Sequence, residues 1–311
     1  MAAWTTVRLV IGLLAFGGGL ALLVESVEGL VTGMRTWAAA AGVSGLALAA
    51  LVLGADLEST AAGIAATLRD LPGTALGTSI GAALFLVTAG LGIAALVAPF
   101  AVRPPTPLLL ACAAATALAI AVCADGRVSR IDGGVLVAAF VPLAAVFFVA
   151  VRRTGEPLER DEDAPRGRLV LRVLAALAGL LVGAELLVFG TQRTVSELGL
   201  SETTFGLIVV AAAVSFEEVV LEALPAFRGF PELSVGNALG TLVFLLTASL
   251  GVIALVRPVP VPDSVLAFHL PALAAAVVLA LGLLARGRLG RAEGTLLVGA
   301  YAAYVAGALL R

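Results

Sequence analysis

The sequence predicts an all-α polytopic membrane protein with about ten transmembrane helices, arranged as two inverted five-helix repeats. Its 311 residues are 61% hydrophobic and 13% charged, whereas soluble chains carry about 25% charged residues. A globule of this length could not hide so much apolar surface from water. The composition excludes a cytosolic enzyme, a nucleic-acid-binding protein and a disordered chain, and it makes the lipid bilayer the expected surroundings. Recurring apolar stretches and a similarity between the two halves complete the prediction.

The apolar stretches are separated by short polar loops. Their length and their internal glycines indicate helices, because the strands of a membrane barrel would alternate in a rhythm of about ten residues. The predicted spans are 7–33, 37–67, 74–98, 107–123, 132–151, 168–195, 203–226, 233–256, 262–285 and 291–310.

One hydrophilic segment divides the chain almost in half. We expect a first five-helix repeat over 1–151, a charged linker over 152–167 and a second five-helix repeat over 168–311. The loops on the linker's side carry eleven arginines, against seven on the opposite side. Because cytoplasmic loops are enriched in basic residues, the linker is expected in the cytoplasm and both termini outside, in a multi-pass protein of a bacterial inner membrane.

The two halves resemble each other when they are aligned at an offset of 159 positions. About a third of the positions match between 54–99 and 213–258, which is more than a shared apolar composition gives. Each half holds an odd number of spans, so the second copy enters the membrane from the opposite side. Inverted repeats of this kind are typical of secondary transporters, whose site lies where the copies meet. The repeat cores are predicted at about 12–99 and 176–258.

Acidic side chains stand near the middle of the second span in each half. The first half has Asp56 and Glu58, and the second has Glu217 and Glu218 close to Ser215. A carboxylate at the bilayer centre costs at least about 2.5–3.5 kcal/mol, so these acids need a cation or a water-filled cavity. Carboxylate and hydroxyl oxygens are the ligands that hard cations such as Ca²⁺ prefer. We therefore predict a central ion site of these five residues, with the three glutamates as the metal ligands.

Further oxygen ligands are expected around this site. Two of them flank the acids in the second spans, and the others lie in small-residue patches near the start of each third span, where glycines permit close helix crossing. The secondary candidates are Ser59, Thr78, Ser79, Asn237, Thr241 and Glu222.

These motifs resemble the calcium/cation antiporter superfamily, the sodium/calcium exchangers, with two α-repeats in ten spans. The family patterns G-x-x-L-L-V-x-G-S, G-T-S-L-P-E and G-N-x-x-G-S-N-x-F-N have counterparts at 22–26, 54–59 and 77–86, and again at 183–190, 213–218 and 236–245. The resemblance implies exchange of a cation, most readily Ca²⁺ against Na⁺ or H⁺, by alternating access. It places Glu218 at the family's ion-binding glutamate and Ser215 at its serine. It implies inorganic cations as partners and no cofactor.

The sequence also departs from the family pattern. In the first repeat, Ser59 stands at the glutamate position and Glu58 at the proline position, while in the second repeat Glu217 replaces that proline. Ala83 and Leu242 replace a ligand Asn or Asp of the third helix. These departures leave open whether transport persists and which ions are exchanged, in addition to stoichiometry, direction and oligomeric state.

Two other classes stay open at this point. A different inverted-repeat carrier, such as a drug/metabolite exporter, generally lacks paired acids in the same span of both halves. A rhomboid-like intramembrane serine protease would use the serine of 42–45 or of 77–81 with His269 as base. Such G-x-S patterns arise easily by chance in a glycine-rich chain, so we expect no enzyme.

Overall fold

The computed structural model describes residues 2–41, 56–68, 70–154, 166–196 and 211–310, with the side chains of some helical residues left out. These residues form ten helical segments joined by short turns. The segments are α1 (Ala2–Ala41), α2 (Leu57–Leu68), α3 (Pro72–Val97), α4 (Thr106–Cys123), α5 (Arg130–Thr154), α6 (Arg166–Ser196), α7 (Ala211–Phe227), α8 (Pro231–Val256), α9 (Val265–Ala285) and α10 (Arg291–Leu309).

The predicted fold class is confirmed. Within the described residues, six of these helices contain a stretch long and apolar enough to cross a membrane, namely α1, α3, α4, α5, α8 and α9. Large apolar side chains such as Leu14, Ile131 and Val278 are more exposed than they would be in a water-soluble protein, at 70%, 79% and 72%. Lipid solvates these side chains, so their exposure carries no penalty in a bilayer.

The third helix of each repeat enters through the same turn. Asp70 and Gly229, which the 159-residue offset aligns, both have left-handed backbone, with φ of 59° and 83°. This conformation ends the preceding helix and satisfies its last carbonyls, and a proline then occupies the first turn of the next helix, at Pro72 and Pro231. The sequence similarity between the two repeats thus corresponds to the same backbone conformation in the turns before α3 and α8.

The same two helices share an internal irregularity. A turn of π-helix interrupts α3 at Leu86–Gly90 and α8 at Leu245–Ser249, at the same offset, and α3 has a further π turn at Gly77–Gly81. In each of the two aligned turns a buried threonine hydroxyl donates to the carbonyl four residues earlier, from Thr88 to Leu84 and from Thr247 to Val243. Threonine hydroxyls that bond back to the helix in this way bend it, and π turns are frequent at functional sites.

The repeats interlock through two equivalent glycine crossings. Where α3 crosses α10, a Cβ atom added to Gly294 would lie 2.7 Å from the carbonyl oxygen of Gly92. Where α8 crosses α5, a Cβ atom on Gly133 would lie 2.7 Å from the carbonyl oxygen of Gly251. Each crossing joins the third helix of one repeat to the fifth helix of the other. Backbones this close require glycine on both sides.

Backbone hydrogen bonds between loops also join the two repeats. Arg127–Val128 pairs antiparallel with Val259–Pro260, and Phe100 exchanges two hydrogen bonds of 2.9 Å with Leu289. In both cases a loop of the first repeat pairs with a loop of the second. An ion pair of 2.6 Å between Asp70 and Arg257 adds a further link.

The first helices of the two repeats run antiparallel, as inverted copies must. Gly179 and Gly190 of α6 lie against Ser26 and Phe16 of α1, so the order of contacts is reversed along the two helices. This pair contacts the rest of the protein mainly through α7, in a cluster of Val27, Leu30, Ala176, Val220 and Leu233. The main core is centred on α3 and α8, which are the most deeply buried spans.

Candidate functional site

Asp56 has a structural task that the sequence did not indicate. The helix α2 begins immediately after it, and the Asp56 carboxylate accepts a hydrogen bond of 2.8 Å from the Ser59 backbone N–H. Asp56 is therefore the N-cap of α2, and an acid is also favoured there by the helix dipole. One carboxylate oxygen is thus engaged by the helix, and the predicted role in ion binding depends on the other. Ser59 itself is half-buried in the first turn.

Three predicted site residues lie on equivalent helices. Glu58 belongs to the first turn of α2, and Ser215 and Glu217 belong to α7, the corresponding helix of the second repeat. The structure describes their backbone positions and not their side chains. Their predicted function as ligands stays a prediction.

Glu218 lies on α7 near two other ionisable side chains. Its half-buried side chain extends from α7, close enough to interact electrostatically with Glu222 one turn further and with Tyr301 of α10. Tyr301 packs edge-to-face on Phe85 of α3, with ring centroids 5.2 Å apart. The carboxylate that the family resemblance places at the ion site therefore lies on α7 near Tyr301 of α10, whose ring contacts α3.

Glu222 is buried more completely than any other described acidic residue, with no exposed surface. It lies against Gly90: a Cβ atom added to that glycine would overlap Oε2 and would be 2.9 Å from the carboxyl carbon. Neither Glu222 oxygen has a hydrogen-bond partner among the described residues. Such a group is costly to bury unless a proton or cation neutralises it.

A buried hydroxyl cluster joins the two repeats. Thr60 of α2 donates a hydrogen bond of 2.8 Å to Ser249 in the π turn of α8, and Ser79 of α3 lies 3.5 Å from the same oxygen. Ser79 was a predicted secondary ligand, whereas Thr60 and Ser249 were missed. Their signal in the sequence is weak, because the offset aligns Ser249 with Gly90 and so removes the hydroxyl from one copy.

The remaining secondary candidates differ in whether their side-chain oxygens already take part in hydrogen bonds. The Thr78 hydroxyl donates to the Ala75 carbonyl at 2.9 Å, which is a local bond within its helix. Asn237 and Thr241 are buried on α8, and the Asn237 side-chain oxygen has no hydrogen-bond partner in the described part of the chain. Of these candidates, Asn237 therefore has a buried side-chain oxygen that no described residue satisfies.

Other acids in the apolar spans lie away from this centre. Glu28 forms an ion pair with Arg228, and the side chains of Glu25 and Glu185 are exposed. His269 is hydrogen-bonded to the Tyr304 hydroxyl through Nδ1 at 2.7 Å. Over the described ranges, no group of three or more His, Cys, Asp or Glu side chains forms a preformed metal cluster. The oxygen set described at the centre is two carboxylates with neutral hydroxyl and amide groups.

Comparison with known proteins agrees with this geometry. The family model described as sodium/calcium exchanger protein matches residues 11–149 and 168–310. The inner membrane protein YrbG of Escherichia coli K12 is 29% identical over 260 residues, which cover 77% of this chain and 78% of that protein. The putative antiporter CaxA of Alkalimonas amylolytica is 26% identical over 92% of this chain and 95% of its own length.

A solved structure has the same fold. The sodium-calcium exchanger NCX_Mj superposes with a TM-score of 0.84 at 24% identity, and the match covers 96% of this chain and 99% of that one. Two interlocked inverted repeats with carboxylates at their contact define a membrane transporter of the cation antiporter class. The chain belongs to the sodium/calcium exchanger family. It is an antiporter and not an enzyme, and neither the exporter nor the protease alternative is favoured.

Proposed function

We propose that this chain exchanges Ca²⁺ against Na⁺ or H⁺ at a single central site between its two repeats. The observation that carries the proposal is the position of Glu218 and Glu222 one turn apart on α7. Glu222 lies against Gly90 of α3 in the first repeat, and Glu218 is near Tyr301 of α10. Carboxylates inside a membrane protein mark ion pathways. In an inverted-repeat fold, the contact between the copies is where the substrate binds.

The proposed ligands come from both repeats. Glu58, Glu217 and Glu218 supply the charge, and Asp56 and Ser215 complete the site, since their helices are the equivalent ones in each repeat. Neutral oxygens are proposed from the secondary set, in which Ser79 lies at the repeat contact beside Ser249 and Asn237 is buried on α8. Carboxylate and neutral oxygens together suit a hard divalent cation.

Exchange at such a site needs no covalent step. The carboxylates repel one another when the site is empty, and either a divalent cation or its replacement ions neutralise them, so the unoccupied site is disfavoured as an intermediate. The two fluxes are coupled because the site changes the side to which it opens only when it is filled. The symmetry of the repeats supplies two equivalent conformations that open to opposite sides.

The relatives support the ion class and the location. The similar solved protein is described as a sodium-calcium exchanger, and one curated relative is named an inner membrane protein. For this chain we propose the inner membrane as location, with 152–167 as a cytoplasmic linker between repeats at 1–151 and 168–311, and with both termini outside. The arginine excess of the linker side supports that orientation.

Thermal unfolding in detergent tests the site directly. Titration with Ca²⁺, Na⁺, Mg²⁺ and H⁺ is expected to raise the melting temperature, because a ligand at 100 times its Kd stabilises the folded state by about 2.7 kcal/mol. Glu218→Gln is expected to abolish the Ca²⁺ shift. Glu232→Gln, which removes an acid from the first turn of α8, is expected to keep it. No shift with any ion in the wild-type protein would refute the proposed function.

A further inference from the structure

Four arginines come together where a loop of the first repeat pairs with a loop of the second. The loop between α3 and α4 and the loop between α9 and α10 exchange two backbone hydrogen bonds through Phe100 and Leu289. The Arg103 side chain lies along Gly287, because a Cβ atom added to that glycine would be 3.4 Å from its Cβ and 3.5 Å from its Cγ and Cδ. The pairing thus holds Arg103 beside the arginines of the second loop. The four arginines are Arg103, Arg286, Arg288 and Arg291.

The second loop presents its arginines around a left-handed turn. Gly287 has a φ of 82°, which side chains with a Cβ rarely adopt, and it separates Arg286 from Arg288. All four arginines are exposed. Glu293 is close enough to Arg286 and Arg288 to interact electrostatically, but its carboxylate also accepts a hydrogen bond of 2.9 Å from the Gly290 N–H at the start of α10. One helix-capping carboxylate leaves these two loops strongly positive.

The equivalent pair of loops on the opposite side of the protein has balanced charge. There the loop between α4 and α5 pairs with the loop between α8 and α9. Residues 98–105 and 286–293 contain four arginines and one acid, whereas 124–132 and 257–264 contain three arginines and three aspartates. One of those three arginines also forms an ion pair with Asp70. Both sides pair their loops through the backbone, so the pairing itself does not require the positive charge of the first side.

The arginines lie at the depth of the lipid headgroups. Leu110 in the second turn of α4 is 63% exposed, and Leu296 in the second turn of α10 is 51% exposed. At a rise of 1.5 Å per residue, these side chains lie about 6–8 Å along their helices from the loops. Apolar side chains exposed there contact acyl chains, so the guanidinium groups are at the surface of the bilayer.

The chemistry of this surface fits a lipid phosphate. Guanidinium groups bind phosphate oxygens through paired hydrogen bonds and stay charged in apolar surroundings. The neighbouring positive charges repel one another, and a bound anion removes that repulsion. Free phosphate could bind the same groups, but only a lipid also has acyl chains for the apolar side chains next to them. Basic clusters at the ends of membrane helices recognise anionic headgroups in this way.

We propose that Arg103, Arg286, Arg288 and Arg291 bind the phosphate of an anionic phospholipid such as phosphatidylglycerol or cardiolipin. The headgroup contacts one loop of each repeat and so links the repeats on this side of the membrane. The equivalent loops on the other side have balanced charge and do not select an anionic lipid. This lipid site does not depend on which ions the protein exchanges.

Native mass spectrometry of the delipidated protein measures its affinity for individual lipids. Wild-type protein is expected to bind phosphatidylglycerol about tenfold or more tightly than phosphatidylcholine. The double variant Arg103→Gln with Arg288→Gln is expected to bind phosphatidylglycerol about 25-fold more weakly, because each basic residue near an anionic lipid contributes about fivefold. The matched control, Arg257→Gln with Arg127→Gln in the equivalent loops, is expected to bind it like the wild type.

Several results would overturn the proposal. They are equal affinity for the two lipids, equal weakening in the control, and displacement of the lipid by inorganic phosphate, which would assign the arginines to free anions. Unchanged lipid affinity in the double variant, with a lower melting temperature in lipid-free detergent, would assign them to the acids of 152–167 instead. If the double variant is not recovered as folded protein, Arg288→Gln alone is expected to weaken binding by about fivefold.

Photo-crosslinking in proteoliposomes locates the lipid along the chain. A phosphatidylglycerol with a photoactivatable headgroup is expected to label peptides that contain 98–105 or 286–293 in the wild type and in the control. The double variant is expected to lose this labelling. Labelling of the wild type that is confined to other segments would contradict the assignment, even if the protein prefers anionic lipid.

Discussion

Thr60 donates a buried hydrogen bond to Ser249, 189 residues further along the chain, at 2.8 Å. The bond joins the second helix of the first repeat to the third helix of the second. The 159-residue offset aligns Ser249 with Gly90, and in the other repeat Gly90 contacts the Glu222 carboxylate. Hydroxyl groups thus meet at one of the two contacts between the repeats, and at the other the Glu222 carboxylate packs against Gly90.

A double-mutant cycle measures the hydroxyl contact. Thr60→Val and Ser249→Ala are each expected to destabilise the protein by about 0.5–1.5 kcal/mol, the usual net contribution of a hydrogen bond, and the double variant by less than the sum. Thermal unfolding in detergent gives the energies. Strict additivity would show that the two hydroxyls are not coupled.

Gly90→Ala tests the fit of the Glu222 carboxylate. The added methyl would overlap Oε2, so the variant is expected to lose about 1–3 kcal/mol of stability. In the background of Glu222→Ala, which removes the carboxylate, the same change is expected to cost much less. An equal cost in both backgrounds would mean that the methyl collides with something else.

Two neighbouring glycines of α5 distinguish the need for close helix packing from the intrinsic destabilisation that glycine causes in a helix. Gly133→Ala places a methyl 2.7 Å from the Gly251 carbonyl oxygen and is expected to destabilise, whereas a Cβ on Gly134 meets nothing within 4 Å. Gly134→Ala is expected to stabilise by about 0.5–1 kcal/mol, because alanine favours the helix. Equal changes of melting temperature in the two variants would contradict the requirement for glycine at position 133 in the crossing of α5 and α8.

Asp56 allows capping to be distinguished from ion binding. Asp56→Asn keeps an N-cap oxygen and removes the charge, so stability without ions is expected to change little. Asp56→Ala is expected to lose about 0.5–2 kcal/mol. If Asp56 also binds the cation, Asp56→Asn reduces the Ca²⁺-induced thermal shift. An unchanged shift restricts Asp56 to capping.

Much of this architecture was predictable from sequence, because membrane burial and an internal repeat leave strong signals. The offset found at Glu58 and Glu217 reappears in the turns at Asp70 and Gly229 and in the π turns at Leu86–Gly90 and Leu245–Ser249. The inverted arrangement followed from an odd number of spans. These features depend on local pattern and on symmetry.

The departures from symmetry were harder to predict. The pairing of Glu222 with Gly90, and of Thr60 with Ser249, joins residues far apart in sequence, and each partner is unremarkable alone. The N-cap role of Asp56 was hidden because an acid at a helix start and an acid at an ion site look alike in one sequence. Packing across the repeat contact decides between such roles.

Ca²⁺ uptake into proteoliposomes, with either a pH or a Na⁺ gradient imposed, tests most directly whether the repeat contact is an ion-exchange site. Wild-type protein is expected to accumulate radioactive Ca²⁺ under at least one gradient, Glu232→Gln to match it, and Glu218→Gln to take up no more than empty vesicles. Absence of gradient-driven uptake in folded wild-type protein, or full uptake in Glu218→Gln, would contradict the account.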